Sequence, residues 1–395
     1  MNKFTLFLFM MCLFTLGAKA QDVAPVQIGD LYYLLDDVSL TAETAAMPVV
    51  GEGDDAVQPR YTFTTLTVPE TVEYNGKTYQ VVKIGDGSLR ELPNLTMVTI
   101  PASVTTIGNS AFAQCPNLTA VTNSISASTI EDYAFYSCSK LAFFVFSPDI
   151  TEIAEHSFQQ CSSLTNITIP EGVTAIKSCA FQTCSNLKSI TIPSTVNEID
   201  AWTFDGTSVT SITVPEGVTS ISAWTFSNNS ALTTLKLPAS LTSMDDWACD
   251  KDDGLKEIYI AWQTPPDPND PDAAITGIKW WSFGDKVDRS SCIVYVPSQY
   301  RDAYGDTWLD FPVESYDMAS IATVPSETNH VYYADGTLNL FNLDGYTVSV
   351  FSATGQLAAT FKASGSGVQL PLTPGVYILK AAKGQDTKVI KFIAK

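Results

Sequence analysis

An apolar residue opens a new segment of the chain every 22 or 23 positions: Leu95, Leu118, Leu141, Leu164, Leu187, Val209, Leu232 and Leu255. The clearest segments read LTNITIPEGVTAIKSCAFQTCSN and VTSITVPEGVTSISAWTFSNNSA. Counting the opening residue as zero, offset 12 is Ile107, Ile130, Ile153, Ile176, Ile199, Ile221 and Met244. Offset 17 is Phe112, Phe135, Phe158, Phe181, Phe204, Phe226 and Cys249. Apolar residues fall at offsets 0, 3, 5, 9, 12 and 17, too few for one segment to enclose a core, so equivalent positions must stack between segments. The pattern predicts a solenoid with one segment per turn. The L-x-x-I-x-I opening predicts a short strand in each turn, its parallel neighbours about 4.8 Å away. Proline at offset 6 (Pro101, Pro170, Pro193, Pro215, Pro238) ends that strand, because it cannot donate to a ladder.

Two turns carry insertions. The one from Phe63 to Asn94 is longer around Tyr74-Asn75-Gly76-Lys77, where Asn-Gly predicts a hairpin. The other, opened by Leu255, is extended around PPDPNDPD before Ile278 and Phe283 resume the pattern. Cys292 to Pro297 reads as the last strand, and Tyr300 to Phe311 as a C-terminal cap. From Val331 the period becomes two, in LNLF, YTVSVFS, GVYILK and TKVIKF, with turns at Asp335-Gly336, Thr354-Gly355 and Pro374-Gly375. About seven short strands in a small antiparallel sandwich are expected there. The layout expected is 1–20 leader, 21–62 N-terminal cap, 63–320 solenoid with C-terminal cap, and 321–395 β-sandwich.

The leader is read from Lys3, the apolar run Phe4 to Leu16 and the small-x-small site Ala18-Lys19-Ala20, which together predict a secretory signal peptide. That run is too short for a bilayer of roughly 30 Å, so no membrane span is expected. The 395 residues carry 22 Lys and Arg against 42 Asp and Glu, a sign that argues against nucleic acid as a partner. The imbalance is not uniform: from Gly345 onward there are six lysines and one acid, Asp386. Only two histidines are present, His156 and His330, little material for His-based catalysis or a multi-His metal site.

The I-P-x-x-V-x-x-I-x-x-x-A-F-x-x-C pattern, the YNGKTY segment before IGDGSL and the closing CIVYVPSQYRDAY resemble BspA-like leucine-rich repeat proteins of bacterial cell surfaces, over roughly Gly29 to Phe311. The fold class is therefore an α/β solenoid of leucine-rich repeats dominated by short parallel strands, followed by a small all-β sandwich. The resemblance implies a secreted or outer-surface interaction module of adhesion type, non-catalytic and without cofactors, binding extracellular proteins. Glycan capture for nutrient uptake is the alternative. VSVFSATGQLAATF and LTPGVYILKAAKGQDTKVIKF resemble the C-terminal sorting domain of type IX secretion cargo, which implies an export and attachment signal; a retained spacer domain is the other reading. Caps over the solenoid's edge strands lead us to expect a monomer.

Four groups of residues are candidate sites. Cys115, Cys138, Cys161 and Cys184 share offset 20 and are expected as a column of buried thiols, with disulfides or metal as alternatives. A ladder of parallel side chains does not converge on one point as tetrahedral zinc requires. Offset 15 holds Ser110, Tyr133, His156, Cys179, Trp202, Trp224, Trp247 and, past the insertion, Trp281. Tyr133, Trp202, Trp224, Trp247 and Trp281 are the candidate binding residues. Such a ladder can anchor a protein or a sugar, or the rings can shield the core's edge, as tyrosine often does at this position in the family resembled. The acid clusters Asp250 to Gly254 and Asp267 to Asp272 lack calcium-loop spacing and are expected as solvated turns. The polar strand face (Asn166, Thr168, Ser189, Thr191, Ser211, Thr213) is either a binding face or a solvated one.

Overall fold

The computed structural model describes residues 24–51, 57–122, 126–265, 277–316, 331–334, 337–340, 346–352, 357–363, 367–370, 372, 375–383 and 386–394. Residues 1–20, expected as a leader, and His330 lie outside them.

Residues at offsets 2 to 4 form a first parallel ladder. Thr65–Thr67, Met97–Thr99 and Ala120–Thr122 pair in order, as do Asn166–Thr168 and Ser189–Thr191. Ser211–Thr213, Thr234–Lys236, Glu257–Tyr259 and Ile293–Pro297 continue it in a longer sheet. Cys292 to Pro297 is not the last strand, as the sequence had suggested: Phe311–Tyr316 pairs parallel with it and turns back through Thr307–Trp308. Between them lies the helical turn Arg301–Tyr304. The Leu141 turn has no strand at offsets 2 to 4; its Phe144 and Phe146 turn inward onto Phe135 and Phe158 instead.

A second parallel ladder uses offsets 11 and 12. Thr106–Ile107 pairs with Thr129–Ile130, Glu152–Ile153 with Ala175–Ile176 and Glu198–Ile199, and Ser220–Ile221 with Ser243–Met244 and Gly277–Ile278. The N-terminal residues cover its open end: Val26–Ile28, Leu31–Asp36 and Thr41–Ala45 form a meander, and the last lies parallel to Lys77–Ile84. Lys77–Ile84 is joined to Thr71–Tyr74 by the Asn75-Gly76 turn, whose two residues have φ of 51° and 78°, the conformation Asn-Gly favours.

The third side has no strands, but its backbone is hydrogen-bonded from turn to turn as regularly as the ladders. The N–H groups at offsets 15, 17 and 19 donate to carbonyls one turn on: His156 to Ser178 (3.0 Å), Phe158 to Ala180 (3.0 Å) and Gln160 to Gln182 (2.8 Å). Offsets 15 and 19 reach this geometry in the left-handed region. Ser110, Tyr133, His156, Cys179, Trp202, Trp224 and Trp247 have φ between 54° and 68°, and Gln114, Ser137, Gln160, Thr183, Asn228 and Lys251 between 54° and 62°. Gly206 takes the same place with φ 69°.

With three sides locked, equivalent side chains stack. Leu95, Leu118, Leu141, Leu164, Leu187, Val209 and Leu232 are fully buried, and so are the offset-17 phenylalanines. Those rings form one stack, with centroids 5.4, 5.3, 5.8, 5.9 and 6.1 Å apart from Phe112 to Phe226 and interplanar angles of 18° or less. Val331–Ala334, Thr337–Leu340 and Gly367–Gln369 form one antiparallel sheet. Thr347–Ser352, Leu357–Lys362, Gly375–Lys383 and Asp386–Ala394 form another, around Leu338, Val348, Val350, Leu379 and Ala381. Among the described residues no helix is long and apolar enough to cross a membrane.

The stack makes a direct prediction. Phe181→Ala opens a cavity between two flanking rings and should lower unfolding free energy by about 3–5 kcal/mol, read from urea unfolding followed by circular dichroism. A loss below about 1 kcal/mol would mean that the turns relax independently of the stack.

Candidate functional site: the aromatic column

Offset 15 is at the rim of the core. At Ser110, Tyr133, His156, Cys179 and Trp247 its N–H is fixed to the next turn, and throughout the column its left-handed backbone directs the side chain outward, while offsets 16 and 17 (Ala180 and Phe181, for example) turn in. A non-glycine residue in this conformation costs roughly 1–2 kcal/mol, which the inter-turn bond and ring stacking offset.

The rings do not form one continuous ladder. They form pairs: Tyr133 on His156 (4.4 Å, 15°), Trp202 on Trp224 (4.8 Å, 6°) and Trp247 against Trp281 (4.9 Å, 42°). Tyr133 and Trp202 are each 37% exposed and Trp281 47%, whereas Trp224 and Trp247 are half-buried. The five candidate residues are therefore neither buried nor free. Trp281 departs from the column's backbone: it lies in the 3₁₀ turn Trp280–Phe283, where the Trp247 N–H bonds to its carbonyl at 2.7 Å. Trp280 stands edge-on to it, donating Nε1–H to Asp310, with the Arg289 guanidinium over its ring at 3.9 Å. By contrast, the indole N–H groups of Trp202, Trp224, Trp247 and Trp281 have no protein acceptor among the described residues.

His156 belongs to this column in structure as well as in sequence. Its Nδ1 is 2.8 Å from Gln159 Oε1 and its Nε2 3.2 Å from Glu155. The Tyr133 phenol is pushed up by burial and by the charges of Glu155 and Asp132. Beside the column runs a shallow groove of about 710 Å³, lined by Gln114, Ser137, Gln160 and Thr183 together with Pro116, Ser139 and Ser162, uncharged throughout.

The cysteine column is buried, and its thiols are free. Each Sγ–H donates to a carbonyl of the preceding turn: Cys115 to Leu89 (3.2 Å), Cys138 to Phe112 (3.1 Å), Cys161 to Phe135 (3.3 Å) and Cys184 to Phe158 (3.2 Å). Burial pushes Cys115 and Cys184 up to about 12 and Cys138 and Cys161 well above the ordinary thiol value, so they are poor nucleophiles. Beyond Cys184 the same column becomes Thr207, Asn229 and Asp252. Thr207 donates its N–H and hydroxyl to Asn229 Oδ1 (2.7 and 2.8 Å), and the Asn229 N–H donates to Asp252 Oδ1 (2.8 Å).

Asp252 corrects the sequence reading of Asp250 to Gly254 as a solvated turn, for it is fully buried and its Oδ2 has no partner. The stacking that encloses a thiol at this offset encloses a carboxyl just as completely. Burial, then Asp250, Asp205 and Asp253, push it well above the usual carboxylate range against the Asn229 bond. Residues 267–272 lie outside the described residues. Among the described residues, no three His, Cys, Asp or Glu side chains are grouped to hold a metal.

The first ladder holds a cluster that sequence reasoning missed. Tyr259 stacks on Tyr295 (4.9 Å, 14°), Tyr316 meets Tyr259 edge-on and Lys236 Nζ lies 5.3 Å from the Tyr259 centroid. Lys236 and Tyr259 share offset 4, which was a usable signal; Tyr316 joins only because the ladder runs one strand further than expected.

A family model described as a BspA type Leucine rich repeat region matches in six copies over residues 60–170 and 151–264, together more than half the chain. Among solved structures, the chain is similar to a leucine rich cell surface protein from Faecalibacterium prausnitzii, with 20% identity, 78% of this chain and 99% of that one covered, and a TM-score of 0.47. It is also similar to a leucine-rich repeat protein of T. pallidum (22%, 54% and 85%, 0.39) and one from Bacteroides ovatus (15%, 74% and 100%, 0.33). No curated protein matches.

Two substitutions test the local chemistry. Asp252→Asn keeps the acceptor for the Asn229 N–H and removes the titration. Because burial raises the folded carboxyl above its unfolded value near pH 4, its stabilising effect is complete below that pH and is lost as pH rises toward the folded value. The variant should therefore be more stable by about 1–3 kcal/mol at pH 7 and little changed at pH 4; parallel pH profiles in urea unfolding would exclude a neutral buried carboxyl. Gln160→Gly, at φ 62°, should stabilise by about 0.5–1 kcal/mol, whereas a destabilised variant would show that its side-chain contacts outweigh backbone strain.

Proposed function

The chain belongs to the BspA-type leucine-rich repeat proteins, and from that premise we propose that it is a non-catalytic extracellular interaction protein of adhesion type, docking a protein partner along the aromatic column. The observation that carries this reading is the pairing of the rings. Trp202 and Trp224 lie face to face, so each shields one face of the other and presents its edge and indole N–H to solvent. Sugars stack on open ring faces, whereas protein hot spots use packed aromatic anchors with an unpaired polar edge. The paired geometry therefore favours a protein ligand over a glycan.

The remaining parts fit an exported protein. Residues 1–20 have the composition of a secretory leader, and the C-terminal strands carry the segments that resemble a type IX sorting domain. In this reading the solenoid is the presented surface, and the C-terminal domain directs export and attachment.

The test is to screen the protein on immobilised extracellular matrix proteins and on a glycan array, beside a Trp202→Ala/Trp224→Ala variant whose fold is checked by circular dichroism. Capture by a protein surface that weakens roughly tenfold or more in the folded variant is expected. Glycan capture, or protein capture insensitive to both substitutions, would refute the aromatic column as a protein-docking surface.

A further inference from the structure

The column is interrupted at Cys179. Offset 15 places a thiol there between the rings of His156 and Trp202, and the thiol is too small to fill the place of a ring. His156 has Tyr133 on one face and Trp202 has Trp224 on one face. Among the described residues no ring covers the face of either that looks toward Cys179. Two turns separate them, so at about 4.8 Å per turn the rings stand about 10 Å apart. A planar group between two rings needs roughly 3.5 Å on each side, about 7 Å in all. The gap therefore admits one flat side chain and no more. Cys179 is its floor and is 8% exposed, as the base of a narrow slot should be.

Two acids lie next to the rings that bound the slot, Glu155 before His156 and Asp200 two residues before Trp202. Glu155 lies beside His156 at 3.2 Å, and burial followed by the charges of Glu155 and Asp205 pushes the Cys179 thiol up to about 11. Asp200, half-buried two residues before Trp202, is pushed above the usual carboxylate range by burial and by Glu198, against the charge of Lys177, and least by Glu155. The neighbouring cation, Lys177, is held by Glu198 at 2.6 Å and Glu152 at 3.8 Å. Asp200 has no ion-pair partner among the described residues. Like charges repel, and a cation entering the slot relieves them.

We propose that this gap is an arginine slot: a guanidinium from a basic segment of the protein partner enters between His156 and Trp202, over Cys179, and pairs with Asp200 and Glu155. The guanidinium is the one protein cation that is flat, stacks on rings and pairs with carboxylates through a fork of donors; a lysine ammonium satisfies only the charge. The inference rests on the reading of the aromatic column as a protein-docking surface and adds the residue that docks.

The chain itself supplies the test. Tryptophan is accepted at the equivalent left-handed position in Trp202, Trp224 and Trp247, so Cys179→Trp fills the gap without removing a ring or a charge. Cys179→Ser keeps it open. The full chain and both variants, checked for unfolding midpoint, are titrated by calorimetry with a twelve-residue peptide of alternating Gly and Arg and with its Lys counterpart. The Arg peptide should bind the parent and Cys179→Ser alike, and weaken roughly tenfold with Cys179→Trp; the Lys peptide should be weaker by a similar factor against the parent. Glu155→Gln/Asp200→Asn should weaken Arg-peptide binding as well, and it serves alone if Cys179→Trp does not fold. Equal binding of the two peptides, unchanged binding by Cys179→Trp, or unchanged binding by the neutralised pair would overturn the slot. Should Trp202→Ala/Trp224→Ala abolish capture of an extracellular protein that Cys179→Trp still captures, the docking surface stands and the arginine slot falls.

Discussion

The structure depends on one constraint: the backbone of successive turns is hydrogen-bonded along three sides of the solenoid, two through ladders of short strands that are interrupted in places and one through N–H groups at offsets 15, 17 and 19. This register holds equivalent residues about 4.8 Å apart, so a substitution in one turn is felt by its neighbours above and below and little beyond them. It also explains how bulky aromatic side chains occupy a left-handed backbone. Left-handed φ is disfavoured for such residues in isolation, but here the N–H at that position must point along the solenoid axis. The cross-turn bonds at offset 15, or at Trp202 and Trp224 those at the flanking offsets 17 and 19, hold the conformation whatever side chain is present.

That independence divides the molecule into conserving and permissive columns along its own length. Offset 17 is occupied by phenylalanine in six successive turns because a smaller side chain would leave a cavity between two rings. Offset 20 tolerates a change from cysteine to Thr207, Asn229 and Asp252, provided each polar group finds a partner in an adjacent turn. Thr207 and Asn229 do; Asp252 satisfies only Oδ1. Offset 15 varies widely, from Ser110 through Cys179 to Trp247, since the side chain there leaves the core and the backbone does not need it. A position whose backbone is fixed and whose side chain is free suits a binding surface.

The same constraint decides what the sequence could disclose. Periodic apolar positions are legible because stacking makes them repeat: offsets 12 and 17 read correctly in every turn from Leu95 to Val209. The strand at offsets 2 to 4 follows from its alternation, and the Asn75-Gly76 hairpin from its turn chemistry. The second ladder was hidden, since two residues per turn carry no alternation. The left-handed side was hidden too; only Gly206 and Asn228 at offset 19 hint at it, among residues that do not. Asp252 was misread because an acid-rich stretch with a glycine looks solvated locally, and its burial comes from its column rather than from its neighbours in sequence. The pairing of rings could not be read from a column of letters, since it depends on where the stack is broken, at Cys179 and between Trp224 and Trp247.

Those breaks carry the functional argument further than the rings do. An unbroken ladder of tryptophans would bury most of its own faces and offer a partner a strip of equivalent edges, with nothing to fix register along the solenoid. Pairs bounded by different neighbours are not equivalent. The Cys179 gap has carboxylates beside it, whereas Trp281 is bounded by Trp280, which Asp310 and Arg289 hold in place. A partner that fills one gap is therefore positioned along the whole column. Specificity in such a surface comes from where the repeat fails, while affinity comes from the aromatic area that the repeat supplies.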